Sequence, residues 1–351
     1  MNQNLTEKLL KWYESHKRLL PWREQNDPYK VWLSEIILQQ TRVDQGLAYY
    51  NRFVNTYPDV FSLAAESQDQ VLKMWQGLGY YSRARNLHKA AKNVVDQYNG
   101  KFPGSFQKLL NLPGVGQYTA AAVASIAFQE PVASVDGNVK RVISRLFGIE
   151  EAIDETKTIL QIQDLANKLI DHNSPGNFNQ AMMELGATIC KPRNPGCEDC
   201  PVASHCKALQ SNIQDKIPLK KRKIKKRTRY FYYFVMLHDS FTTLVQRGAN
   251  DIWQGLYEFP LLEFQEETSG DQLLEKAAAH WDIVADSIVA VQFSKVEKHN
   301  LTHQTIYAVF VKLLLNDQPG KLNLNIGIDR LHDYPVSRLT EIYLNKDKNL
   351  L

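Results

Sequence analysis

Residues 106–124 read FQKLLNLPGVGQYTAAAVA. Apolar residues at helical spacing flank Leu112-Pro113-Gly114-Val115-Gly116, which predicts two helices joined by a tight turn. The glycines allow backbone conformations closed to other residues. They also leave N–H groups bare at the start of the second helix, a geometry suited to a phosphate oxygen. A plain helix–helix connection has the same pattern, so the stretch identifies a helical neighbourhood before it identifies a function.

Outward from this turn the helical texture continues. Periodic apolar residues recur at 5–15, 29–40, 43–56, 69–75, 83–98, 105–110, 117–128, 137–147 and 157–171, with Pro, Gly and Asn between them. The first 210 residues therefore read as all-α. Beyond 229 the texture changes: RYFYYFVML (229–237), TTLVQRG (242–248) and TIYAVFVKLLL (305–315) predict strands, with helical patterns near 271–280 and 336–345. A mostly α N-terminal half is thus followed by a small α+β domain.

The length of 351 residues favours two domains, and 44% hydrophobic with 23% charged residues excludes disorder and collagen-like or coiled-coil repeats. No apolar run approaches the ~18 residues that span a bilayer, and the N-terminus lacks a signal-peptide core, so an intracellular (cytoplasmic), non-membrane protein is expected. The net charge of +4 is uneven: residues 1–210 carry +2, 211–229 carry +8 and 230–351 carry −6. The positive excess lies in KKRKIKKRTR at 220–229, either a solvated linker or a nucleic-acid contact.

All four cysteines fall within seventeen residues, as Cys190-x6-Cys197-x2-Cys200-x5-Cys206, with turn-forming residues between them. That is a metal signal; four thiolates suit zinc or an iron–sulfur cluster, and disulfides are disfavoured in an intracellular chain. Two carboxylates stand out. Asp136, in SVDGNVKRVISRLF, precedes a helix as an N-cap would. Glu35 lies in PYKVWLSEIILQQT among apolar helical neighbours: held against that surface its carboxyl could remain protonated as a general acid, and a surface glutamate is the alternative that periodicity leaves open.

Taken together these elements resemble the helix-hairpin-helix DNA glycosylases, and within them the MutY-type adenine DNA glycosylases. The likeness runs through LPWR (20–23), WLSEIILQQTRV (32–43), GLGYYSRARNL (77–87), LPGVGQYTA (112–120), VDGNVKRV (135–142), FNQAMMELGATIC (178–190), the cysteine loop and WQGLYEFP (253–260). It implies a catalytic region over 1–213, comprising a six-helix barrel at about 24–130 and an iron–sulfur domain formed by the N-terminal helix with 131–213. A basic linker would follow at 214–229 and a Nudix-like 8-oxoguanine-recognition domain at 230–351.

The resemblance also implies roles. Glu35 would protonate the departing adenine, and Asp136, with its neighbour Asn138, would support positive charge on the sugar. Tyr118 stands where the bifunctional endonuclease III enzymes carry a lysine nucleophile, and no lysine occurs between 109 and 126, so a monofunctional hydrolase is implied. Arg23 and Gln180 would line the adenine pocket. Gln40 and Tyr80 would wedge into the duplex, and Leu112, Gly114 and Gly116 would meet DNA at the hairpin. Cys190, Cys197, Cys200 and Cys206 would hold a 4Fe-4S cluster, with zinc as the alternative, and the flanking Lys191, Arg193 and Lys207 would meet phosphates.

Leu301-Thr302-His303 resembles the family's Phe-Ser-His lesion contact, and Leu301 retains an apolar wedge while Thr302 retains a hydroxyl. The Nudix metal-binding signature is missing, which implies recognition without pyrophosphatase chemistry. The expected partner is double-stranded DNA with adenine opposite 8-oxoguanine or guanine, bound by a monomer. A bifunctional glycosylase/lyase, a silent DNA-binding module and a Nudix hydrolase are the competing readings.

Overall fold

The computed structural model describes residues 2–221 and 226–346. In chain order the helices are α1 (Asn2–His16), α2 (Pro28–Leu38), α3 (Val43–Thr56), α4 (Val60–Ala65), α5 (Gln68–Trp75), α6 (Ser82–Tyr98), α7 (Phe106–Leu109), α8 (Gln117–Phe128), α9 (Gly137–Phe147), α10 (Thr156–Leu169), α11 (Pro175–Thr188), α12 (Lys207–Gln210), α13 (Gly270–Trp281) and α14 (Arg338–Lys346). The strands are β1 (Arg227–Leu237), β2 (Phe241–Thr242), β3 (Val245–Gln246), β4 (Tyr257–Glu258), β5 (Leu261–Phe264), β6 (Ile288–Phe293), β7 (Glu297–Asn300), β8 (Gln304–Leu315) and β9 (Ile326–Gly327). A helical first part and a sheet-containing second part are thus present. Contacts divide the chain into Met1–Ala65 with Asn86–Arg222, and Glu66–Arg85 with Lys223–Leu351. Residues 66–85, expected from sequence inside the barrel, therefore cluster with the C-terminal unit.

In the first unit α2 and α8 form the centre. Asp27 caps α2 by accepting the Tyr29 N–H at 2.9 Å, with Pro28 at the first helical position. From there Val31 to Ile37 is buried without a break, so the helix has no wet face. The alanines of α8 let neighbouring helices approach closely: a Cβ on Gly176 of α11 would lie 2.8 Å from the Ile126 Cα. A separate core joins α1, α9, α10 and α11 through Leu9, Val142, Ile143, Ile162 and Phe178. The sequence patterns missed α4, α11 and the single turn α12. Two turns of helix give little periodicity, and α11 buries polar residues (Asn179, Gln180, Glu184) on faces where the pattern requires apolar ones.

In the second unit the main sheet runs β5-β1-β8-β6, with β7 also on β8; β1 and β8 are parallel and the other pairs antiparallel. One face packs Phe231, Tyr233 and Phe310 against Leu339 and Tyr343 of α14, the other packs Phe234 and Leu313 against Leu273 and Trp281 of α13. The strand expected at 242–248 is two short pieces, paired to β9 and β4. Strands β5, β6 and β7 went unread because they are short and partly exposed. α5 is tied to this unit by polar contacts: Tyr257 Oη donates to Asp69 at 2.9 Å, Lys73 Nζ to the Tyr334 carbonyl at 3.1 Å and Gln76 Nε2 to Glu341 at 3.0 Å.

The basic run needs correction. β1 begins at Arg227, inside the stretch read as linker, and Arg229 is buried, bonded to Asp251 and Glu263 through both guanidinium ends. It serves the domain core and has no free donor edge for phosphate. Lys221 pairs with Glu155. Residues 222–225, the middle of the run, lie outside the described residues.

Candidate active site

A cavity of about 160 Å³ opens in the first unit between α2, α8, the start of α9 and α11. Glu35, Tyr118, Asp136, Asn138, Gln180 and Arg23 all line it, so residues up to 157 positions apart in sequence meet there. Glu35 is 7% exposed. Burial pushes its carboxyl up to about 7; the Tyr118 hydroxyl opposes this, the facing Asp136 reinforces it and Arg23 opposes it. Tyr118 Oη donates to Glu35 Oε2 at 2.6 Å and lies 3.2 Å from Met183 Sδ. Burial and the two carboxylates hold the Tyr118 phenol far above its usual range, so it remains a donor.

Asp136 combines the two readings that its sequence context left open. It is the N-cap of α9, accepting the Val139 N–H at 2.7 Å, and it lines the cavity. Its other oxygen accepts from Asn138 Nδ2 at 2.8 Å. Burial raises its carboxyl, against these hydrogen bonds and the Arg141 charge. Arg141 in turn donates to Asn138 Oδ1 at 2.9 Å and, through Nε, to the Cys190 carbonyl at 2.7 Å. Asp136 is therefore joined to the cysteine loop by side chains of a single helix.

The opposite wall carries an ion triad that sequence patterns did not single out. Glu184, fully buried on α11, accepts from Arg18 Nε at 2.7 Å and Nη2 at 2.9 Å, and from Arg23 Nη2 at 2.7 Å. Gln180, one turn away, accepts from Tyr13 Oη at 2.7 Å. Glu184 lies in FNQAMMELGATIC, but a buried acid and a surface acid share the same letter, and its partners lie more than 160 residues away.

The four cysteines are free thiols lining one small cavity with Arg145, Pro195 and Gln214. Among the described residues no group of three or more Cys, His, Asp or Glu is placed to hold a single metal ion. Buried Arg145 donates to Cys190 Sγ at 3.3 Å and to the Lys191 carbonyl at 2.7 Å. Burial raises the Cys197 and Cys206 thiols, and Cys200 to about 12, so a bound metal centre would have to supply the charge that keeps them thiolates. Donor chemistry and enclosure both fit such a group.

At the hairpin, Gly114 has φ +75° and a Cβ there would meet the Asn86 Cβ at 2.5 Å, so the turn requires glycine. Gly114 and Gly116 are exposed. Leu112, expected at the DNA, is instead 2% exposed, because the turn folds its side chain into the core. Gln40 is exposed with φ 56°, beside Gln39, whose Nε2 donates to Thr119 at 3.0 Å.

In the second unit Tyr80 is about half exposed with φ 48°. Its hydroxyl lies 2.8 Å from Thr302 Oγ1, at a cavity of about 870 Å³ that is also lined by Trp253, Leu301, His303 and Arg338. Leu301, expected to stand out as a wedge, is partly buried against the sheet core. Thr302 and His303 are exposed.

Residues 33–183 match the HhH-GPD superfamily base excision DNA repair protein family, and residues 232–346 match the NUDIX domain family. Adenine DNA glycosylases from two Buchnera aphidicola subspecies are similar: that of Baizongia pistaciae is 34% identical over 315 residues, 88% of this chain and 85% of that one. That of Schizaphis graminum is 31% identical over 345 residues, 95% and 97%. The human adenine DNA glycosylase is 44% identical over 218 residues, 60% of this chain and 40% of the human one. Among solved structures, a thermostable thymine-DNA glycosylase superposes with a TM-score of 0.55 at 30% identity, over 60% of this chain and 97% of that one. A trapped endonuclease III–DNA covalent intermediate shares the fold, with a TM-score of 0.52 at 24% identity over 61% and 99%. With relatives this similar spanning most of both chains, the chain belongs to the adenine DNA glycosylase family of HhH-GPD base excision repair proteins.

Proposed function

We propose that the chain is a monofunctional DNA glycosylase that removes adenine opposite 8-oxoguanine or guanine in duplex DNA. The observation that carries this reading is the pairing of Glu35 with Asp136 across one cavity, the first held up to about 7 by burial. Such a pair divides the labour of N-glycosidic cleavage. Glu35 gives its proton to the extruded adenine as the C1′–N bond breaks, Asp136, tethered by the Val139 N–H and Asn138, faces the positive charge that grows on the sugar, and water adds to C1′ while its proton returns to Glu35. Tyr118 orients the Glu35 carboxyl and offers no amine, so no Schiff base forms from the hairpin.

Cys190, Cys197, Cys200 and Cys206 would hold a 4Fe-4S cluster, with Arg145 steadying Cys190. When bound, the group supplies a rigid, redox-capable anchor for the loop that carries Lys191 and Arg193. In the second unit Tyr80 and Thr302 would read the base opposite the adenine.

A single-turnover assay on an end-labelled duplex with one adenine opposite 8-oxoguanine, beside an A·T control and split between alkaline and neutral quenching, tests the reading. Breaks at the mispaired adenine only after alkali are expected; breaks at neutral pH would overturn the monofunctional step. Iron and sulfide analysis is expected to find both elements, and zinc alone would replace the cluster.

A further inference from the structure

We propose that Glu184 is the counter-ion that keeps Arg18 and Arg23 from drawing the proton off Glu35, which makes it a positioning residue for the proton-transfer step. The inference rests on Glu35 acting as the acid. Glu184 is fully buried in the wall of the same cavity, and one carboxylate answers two guanidiniums: both oxygens accept from Arg18, and Oε2 also accepts from Arg23. The triad by itself carries one net positive charge, and the Asp44 carboxylate and the Tyr13 phenol also act on Arg18. The remaining titratable groups among the described cavity-lining residues are Tyr118 from α8 and Asp136 at the start of α9.

The balance matters because Glu184 and Arg23 act where water screens poorly, while Arg18 is partly exposed at the rim. Arg23 already works against burial by favouring the ionised form of Glu35. A second uncompensated guanidinium would add to that pull, and the acid would discharge nearer the usual carboxylate range. Both arginines remain useful at the mouth of a pocket that receives a nucleotide, so neutralising them locally keeps their donors while limiting their field. A buried ion cluster can also be no more than a packing device. The two roles differ in what they do to a pH profile.

Single-turnover rates on the duplex with adenine opposite 8-oxoguanine, measured across pH, distinguish them. In the native protein the rate falls as pH rises through the Glu35 titration. Glu184→Gln is expected to move this alkaline limb about one pH unit lower, with up to about tenfold loss above the limb and little loss well below it. Arg18→Gln combined with Glu184→Gln restores the original net charge and is expected to return the limb. Arg18→Gln alone, which leaves Glu184 with Arg23, moves the limb upward and serves if the Glu184 variant does not fold. A folded Glu184→Gln protein slowed equally at all pH values, or an Arg18→Gln protein with an unmoved limb, would overturn the proposal. A native profile with no alkaline limb would remove the acid reading itself, and this inference with it.

Discussion

Around Glu35, in the first unit, the charged side chains of the cavity each have a fixed partner: Tyr118 on Glu35, Val139 and Asn138 on Asp136, two arginines on Glu184. Around Tyr80, in the second unit, the polar groups face a cavity more than five times larger, and the tyrosine, in a left-handed conformation, hydrogen-bonds an exposed threonine and lies beneath the Arg83 guanidinium. The first is preorganised: its dipoles and proton are set before any ligand arrives, which is how a site lowers a barrier. The second is open and leaves room for adjustment, as a recognition surface does. If the contrast is functional, substitutions in the first region act on rate and those in the second on discrimination.

The largest expected effect comes from Glu35→Gln. Loss of a positioned acid should lower the single-turnover rate by about 10²- to 10⁴-fold while duplex binding survives, and a near-native rate would break the contrast at its centre. The same variant has a stability signature. A carboxyl raised from 4.5 to about 7 by folding stabilises the native state fully below the lower value and loses that contribution as pH rises through the upper one. Glu35→Gln, neutral throughout, should therefore gain in Tm relative to the native protein on going from pH 5 to pH 8.

Asp136→Asn separates the residue's two jobs. Asparagine caps helices about as well as aspartate, so Tm should change little, yet the charge facing the sugar is gone and the rate should fall on the order of 10²-fold. Equal rates for Asp136→Asn and the native protein would leave only the cap. Tyr118→Phe should cost less, about tenfold at most. It also removes a hydrogen bond that lowers the Glu35 value, so the alkaline limb of the rate should move to higher pH.

The two regions also differ in how far they could be read from the sequence. Glu35 sits in a mostly apolar helix and Asp136 directly before one, so local pattern marked both as candidates, while leaving a surface acid and a plain N-cap open until the family resemblance supplied the roles. The cysteines lie within seventeen residues of one another, and spacing marked them as a set. What pattern cannot carry is a partnership across the chain. Glu184 finds its arginines 161 and 166 residues away, and Tyr80 finds Thr302 at 222. The grouping of 66–85 with the C-terminal unit depends on such pairs, Asp69 with Tyr257 and Gln76 with Glu341 among them. The side chains of Leu112 and Leu301 turn inward for a related reason: an apolar residue in a turn is equally suited to exposure and to a plug, and only packing decides.

The smallest effects should come from the second region, and they probe the contrast most closely. Tyr80→Phe and Thr302→Val each remove one end of the hydroxyl contact and keep the shape. A neutral hydrogen bond at an exposed site contributes about 0.5–1.5 kcal/mol, so neither change should alter the rate by more than about tenfold. The informative quantity is the ratio of rates on adenine opposite 8-oxoguanine and opposite guanine. If the contact orders the reading surface, both variants should shift that ratio by a similar factor, and the double variant should shift it no further, because the two hydroxyls act as one unit. An additive double variant would mean that each hydroxyl meets the duplex separately. An unchanged ratio with a lowered rate would mean that the second region serves chemistry after all, and the division between the two regions would have to be redrawn.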